Sequence, residues 1–375
     1  MTTSTRVSTF AMHNMYVSNM LTTQGRLDAA MTQVNTGMKS QTYAGLGNTS
    51  FRLVNMETQR TEVEHYMSSN IAVDLRLNMT QTSTESIRKT TLDFRNQLGT
   101  YQEANSGDAA QIPDQAETDD IQRWAWNALE QMKDYLNTKV DGQYLYAGAK
   151  TQTQPVTLKD PTTGNDLTSL ADFQSVYNNT NTYPTSRDAN LTSTATHTAY
   201  YNGDNQKLSY RIDGDREIEV GITATDAAFE KAMRAMALIA QGPTDTVAVT
   251  SGLNANVNDI DAADWEGRVK EALWLLGDAL NADTMNRVSP VNGNTEGASD
   301  FESVERITGF NQSIVKQTTT EQKSYISFLN AQTDDIEKVD MAGAIVRMQD
   351  EQRALQASYS TISMVKDLSL VNYMR

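Results

Sequence analysis

The sequence predicts a mainly α protein: long antiparallel helical rod or coiled-coil arms from both termini, with an inserted β-rich outer domain. Three observations lead there. Apolar residues recur at alternating steps of four and three near both chain ends. Gly and Pro number 20 and 6 in 375 residues, about half the usual share, so few residues interrupt a helix. Residues 151–225 change character, becoming rich in Thr, Asn, Asp and Gly with runs that alternate at period two.

Taken in order, the first helix carries His13, Val17, Met20, Gln24, Leu27, Met31, Val34 and Met38 on one heptad seam, which Gly37, Gly45 and Gly47 then break. Such a seam needs at least one further helix. A second seam runs Met56, Gln59, Val63, Tyr66, Asn70, Val73, Leu77, Thr80, Thr84, Ile87, Thr91, Phe94, Leu98 and Tyr101, with no Gly or Pro from Phe51 to Leu98. At 1.5 Å per residue that span would be about 70 Å long, beyond the usual globular helix, which favours a rod. After a loop from Ser106 to Pro113, Asp119-Asp120 reads as an N-cap region. Ile121, Trp124, Ala128, Met132 and Tyr135 mark a third helix, ending near Asp141-Gly142.

Within the insert, Leu208, Tyr210 and Ile212 share a face, as do Ile218, Val220 and Ile222, and Asp213-Gly214-Asp215 between them reads as a turn. Helical spacing resumes at Phe229, Met233, Met236 and Ile239, stops at Gly242-Pro243, and returns from about Asp264 to Leu280. From Phe301 to Ser369 the only breakers are Gly309 and Gly343. Ile345, Met348, Gln352, Leu355, Tyr359 and Ile362 repeat the 4-3 alternation, and Val365 and Leu368 continue it. The simplest topology is a hairpin that brings the two ends together.

Composition points away from catalysis. Lys plus Arg is 31 against 47 Asp plus Glu, a net charge of −16, the wrong sign for nucleic acid or an anionic membrane surface. Without Cys there is no disulfide framework, thiolate metal site or cysteine nucleophile. His13, His65 and His197 stand far apart. No phosphate-loop, nucleophile-elbow or zinc-protease motif occurs. Asp160 and Asp213-Gly214-Asp215 offer oxygen ligands, but no full calcium loop is present and ordinary Asp turns explain them. The four Trp (Trp124, Trp126, Trp265, Trp274) read as helix-packing residues. No segment reaches the ~18 apolar residues of a membrane span, and Met1 to Val7 lacks the apolar run of a cleaved secretory signal. The expectation is therefore a non-enzyme with no cofactor and no metal.

Several stretches resemble the flagellin and hook-associated protein 3 family. Ala354-Leu355-Gln356-Ala357-Ser358-Tyr359, followed by Leu368-Ser369-Leu370-Val371-Asn372-Tyr373, is similar to that family's terminal motif, and Asn35-Thr36-Gly37 is similar to the Ser/Thr-Gly after its first helix. Asp141 to Gly148 (DGQYLYAG), with Pro155 after it, and Tyr210-Arg211-Ile212-Asp213 with Arg216 to Gly221 resemble the hook–filament junction branch. Two departures are Tyr43-Ala44-Gly45-Leu46-Gly47, where an acidic pair is usual, and the ending Asn372-Tyr373-Met374-Arg375.

The resemblance implies a structural subunit of the bacterial flagellum, extracellular, secreted through the flagellar export apparatus without a cleaved signal. Its implied partners are other copies of itself, neighbouring junction protein and flagellin subunits, and a cytoplasmic export chaperone, with no nucleic acid and no membrane. The expected organisation is 1–50 N-terminal assembly helix, 51–150 helical rod, 151–225 β-rich insert, 226–340 returning rod and 341–375 C-terminal assembly helix. The expected assembly interface is Val17, Met20, Leu27, Met31, Val34 and Met38 with Ile345, Met348, Leu355, Tyr359, Ile362 and Leu368. Alternatives are the main filament flagellin, a surface polymer binder using a groove among Tyr177, Tyr183, Tyr200, Tyr201 and Tyr210, and a cytoplasmic coiled-coil scaffold.

Overall fold

A computed structural model describes residues 3–105, 115–160, 163–176, 200–241, 265–281, 288–290 and 295–373. The described elements run α1 (Thr3–Thr36), a 3-10 turn (Tyr43–Thr49), α2 (Ser50–Asn105), α3 (Gln115–Leu136), β1 (Lys139–Val140), β2 (Gln143–Tyr144), α4 (Leu170–Val176), β3 (Leu208–Arg211), β4 (Glu217–Val220), α5 (Ala227–Ala240), α6 (Trp265–Leu280), α7 (Phe301–Glu337) and α8 (Met341–Tyr373). Among the described residues the protein is mainly helical, with long helices towards both ends and short strands in two hairpins. It divides into two compact units, Met1–His65 with Glu321–Arg375, and Tyr66–Thr320, so α2 and α7 each contribute to both.

In the first unit α1 packs along α8. A backbone clamp joins the segments beside them. Lys39 N donates to Glu337 O at 2.7 Å, and Val339 N donates to Gly37 O at 2.9 Å. Since α1 leads into this clamp and α8 leads out of it, the two helices run antiparallel. Gly37 ends α1 with φ 70°, the left-handed cap that a residue with a side chain adopts less readily, and its N–H returns to Gln33 O at 2.9 Å. Between α7 and α8 the sequence offers no Gly or Pro, yet the helix stops at Glu337. The clamp draws residues 337–339 into bridge pairing, and Asp340 restarts the helix by accepting from Ala342 N at 3.1 Å. Elsewhere in this unit Leu53 and Leu329 are fully buried, and Tyr325 Oη donates to Gln59 at 3.1 Å.

The second unit holds the main core. Ile87, Phe94 and Leu98 of α2 meet Ile121, Ala125, Leu129 and Met132 of α3, Phe229, Met233 and Met236 of α5, Leu275 and Leu276 of α6, and Phe301 and Val304 of α7. Every predicted α2 seam position from Asn70 to Leu98 is buried. Its polar members hydrogen-bond: Asn70 donates to Ile212 O at 3.0 Å, Thr84 bonds the Tyr146 hydroxyl at 3.2 Å, and Thr91 bonds its own helix at Ile87 O. The helix α3 begins one turn before Asp119-Asp120, which therefore lie inside it. It ends at Leu136, and Asp141-Gly142 is instead the turn of the β1–β2 hairpin. Both residues take positive φ, 51° and 77°, as a two-residue hairpin turn requires.

The insert shares this core. Val156, Leu158, Leu167, Phe173, Tyr200 and Ala224 are buried with the helices, and Asn137 exchanges two hydrogen bonds with the Val156 backbone, at 2.8 and 3.0 Å. The pairing Leu208↔Val220 and Tyr210↔Ile218 puts both apolar rows on one face of β3–β4, where they meet Val73 and Leu77 of α2 and Val315 of α7.

Almost all of α5 is buried, charges included. Buried charges are tolerable only when paired. Lys231 contacts Asp278 at 2.6 Å, while Arg234 lies 3.0 Å from Glu230 and 2.5 Å from Glu296. Burial pushes the Glu230 carboxyl above its ordinary value, and Arg234 opposes the shift.

Candidate functional site

The expected interface residues divide by exposure on α1 and α8. Val17, Met20, Leu27 and Val34 on α1, and Met348, Leu355 and Ile362 on α8, are half-buried. Met31, Met38, Ile345 and Tyr359 remain 45, 43, 38 and 54 % exposed. Leu368 lies within α8, its side chain outside the described residues. Less exposed positions that the spacing did not single out are Tyr16, Thr23 and Ala30 on α1, and Ala344, Glu351 and Ser358 on α8. Together with the half-buried residues they trace a stripe at steps of three and four along each helix. The stripe is offset from the predicted seam because small and polar side chains, which a search for large apolar residues passes over, let two helices approach closely.

Beyond these stripes both helices expose large apolar side chains among polar ones, and α8 also exposes Arg347, Asp350 and Arg353. Met12, Met15 and Leu21 are 50, 53 and 59 % exposed, and Val346 and Met364 are 56 and 63 % exposed. Between Ala11 and Thr36 the only formal charges are Arg26 and Asp28. A helix with apolar residues on more than one face has more burial available than one neighbour supplies. What this arrangement can do chemically is associate.

Other candidate positions carry ordinary structural roles. Asp160 accepts from Thr163 at 2.5 Å, and Asp213 accepts from Gly214 N at 2.8 Å, as Asp turns do. Among the described residues, no three His, Asp or Glu side chains come together as a metal ligand set, and no helix is long and apolar enough to cross a membrane. Tyr200 is buried with its hydroxyl on Ala224 O at 3.0 Å. Tyr201 donates to Asp204 O at 2.5 Å, and Tyr210 packs beside the hairpin cluster. Tyr177 and Tyr183 lie outside the described residues. Of the tryptophans, Trp126 and Trp265 are buried, Trp274 packs against the core, and Trp124 is half exposed.

Residues 296–374, which contain all of α7 and α8, match the family model of the bacterial flagellin C-terminal helical region. The C-terminal fifth of the chain is thus similar to flagellin. The terminal motif Ala354 to Tyr359 and Leu368 to Tyr373 falls inside the match, so the resemblance to the flagellin and hook-associated protein 3 family holds at this end of the chain. No curated protein sequence matches.

Among solved structures, the fold is similar to a protein described as a flagellar hook-associated protein from Vibrio parahaemolyticus. That pair is 10 % identical over 77 % of this chain and 97 % of the other, with a TM-score of 0.47. Bacillus cereus FlgL is 10 % identical over 84 and 98 % of the two chains, at 0.32. Flagellar hook-associated protein 3 of Legionella pneumophila is 13 % identical over 84 and 98 %, also at 0.32.

Proposed function

We propose that this chain is a structural subunit of the bacterial flagellum that joins hook to filament. In this reading its terminal helices pack with those of neighbouring copies into a tube. The observation that carries the reading is that the match to the flagellin C-terminal region includes α8, half of a helix pair that keeps large apolar side chains exposed. The half-buried residues Val17, Met20, Leu27, Val34, Met348, Leu355 and Ile362 hold the pair, and Met31, Met38, Ile345, Tyr359 and Leu368 meet neighbouring subunits. The chain acts by association, without catalysis, cofactor or metal. It works outside the cell after export without a cleaved signal, and an export chaperone shields its termini beforehand. Its neighbours are its own copies, other junction protein and flagellin.

Immunogold labelling of intact flagella tests this. Label confined to the hook–filament boundary, with a small fixed copy number relative to hook protein, is expected. Label along the whole filament would make the chain a flagellin instead, and its absence from washed flagella would remove both readings.

A further inference from the structure

The chain has 17 Met and no Cys, so the thioether is its only oxidisable sulfur. These thioethers are unevenly placed. Among the described residues, seven methionines are more than a third exposed, and six of them belong to the first unit: Met12, Met15, Met31, Met38, Met341 and Met364. The seventh is Met79 on α2, whereas Met132, Met233 and Met236 in the main core are fully buried. The exposed surface of the first unit, Met31 and Met38 of the proposed contacts included, thus carries six copies of the residue whose polarity can be changed by one oxygen atom.

We propose that these six methionines are oxidation sites for peroxide, and that their conversion to sulfoxide blocks assembly; this rests on the junction reading above. The thioether sulfur attacks one peroxide oxygen, the O–O bond breaks and an S–O bond forms. Hydroxide leaves and takes the proton from the hydroxyl now on sulfur, giving water and the sulfoxide. Methionine is oxidised by two electrons and peroxide is reduced by two, so no further reactant is needed. A thioether is soft, flexible and apolar and packs against many shapes, whereas its sulfoxide is polar and chiral. In the free subunit the sulfoxide oxygen faces water. In a packed tube that oxygen leaves water for a space fitted to a thioether, and burying it costs free energy wherever no Ser, Thr, Asn or Gln donor reaches it. Oxidation therefore acts on the free subunit, and assembly shields the same sulfurs.

The test uses purified full-length chain treated with graded hydrogen peroxide. Sulfoxides are mapped by peptide mass spectrometry, and incorporation is measured on hook-bearing cells stripped of filaments. Sulfoxide is expected at the six sites before Met132, Met233 and Met236, with incorporation falling at least tenfold while helical circular dichroism is unchanged. Methionine sulfoxide reductases should restore it. A variant with all six changed to Leu should incorporate after the same treatment, and Met79→Leu should stay sensitive. Normal incorporation of chain carrying the mapped sulfoxides would overturn the proposal, as would equal sensitivity of the six-Leu variant. Failure of untreated wild-type chain to incorporate would instead overturn the junction reading beneath it.

Discussion

The helices α1 and α2 carry the same 4-3 apolar spacing and use it differently. From Asn70 to Leu98 every seam position of α2 is buried inside its own unit, and its outer face beyond Met79 presents Glu85, Lys89, Asp93 and Arg95. On α1, His13, Gln24 and Met31 of the seam are exposed, as is Met38 just beyond it, and Met12, Met15 and Leu21 lie exposed besides. The period says that a stripe will be covered. The opposite face says by how many neighbours. A charged outer face marks a helix completed within the chain, and an uncharged apolar one marks a helix with burial still to gain.

The largest test of this contrast removes residues 151–225. Six buried apolar side chains leave the main core with them, each contributing about 1.5–3 kcal/mol. That sum approaches or exceeds the ~5–15 kcal/mol of a typical domain. The cooperative thermal transition of the second unit should vanish. If it persists, helices alone complete the α2 stripe.

Next is Phe229→Ala. Phe229 is fully buried, with ring centroids 5.4 Å from Tyr146 and 5.7 Å from Phe301. A loss of about 3–5 kcal/mol is expected in urea unfolding. A loss under about 1 kcal/mol would show a core loose enough to refill the space.

Two neighbouring substitutions on α8 then separate the half-buried stripe from the exposed face. Leu355→Asp should destabilise the α1–α8 pair by roughly 1–3 kcal/mol, read as faster hydrogen exchange along α1. Tyr359→Asp should stay within about 0.5 kcal/mol of wild type while losing incorporation. If both behave alike as free subunits, the faces of α8 do not differ.

The smallest effect concerns pH. Burial holds the folded Glu230 carboxyl above its ordinary value, so the folded state binds this proton more tightly than the unfolded chain. Its contribution therefore favours the fold increasingly as pH drops from neutral through the raised value, and levels off below the ordinary carboxylate range. Wild type should gain stability relative to Glu230→Gln between pH 7 and pH 5 in urea midpoints. A difference that does not change with pH would mean that Arg234 cancels the effect of burial.

The sequence made the long helices legible because a large apolar side chain every three or four residues leaves few other solutions. It also located the β3–β4 turn at Asp213-Gly214-Asp215. The break at residues 338–340 was not legible, since it comes from pairing with residues 37–39, some 300 positions away. Asp141-Gly142 was ambiguous because the same dipeptide serves a helix end and a hairpin turn. The burial of Glu230, Lys231 and Arg234 was not legible either, since α5 is enclosed by elements distant in sequence. On the terminal pair, Thr23 and Ala30 were invisible because close packing there uses small side chains.

The clamp between residues 37–39 and 337–339 bears on the order of events as the chain folds. Lys39 Nζ reaches Asp335 O across 296 positions, and closing a loop of that size costs about 5 kcal/mol in chain entropy beyond a constant. Contacts so distant in sequence form last. A chain delivered from its N-terminus presents α1 first and α8 last, so the earliest segment to emerge waits longest for its partner. Throughout that wait α1, nearly uncharged and carrying exposed Met12, Met15 and Leu21, stands without its partner helix.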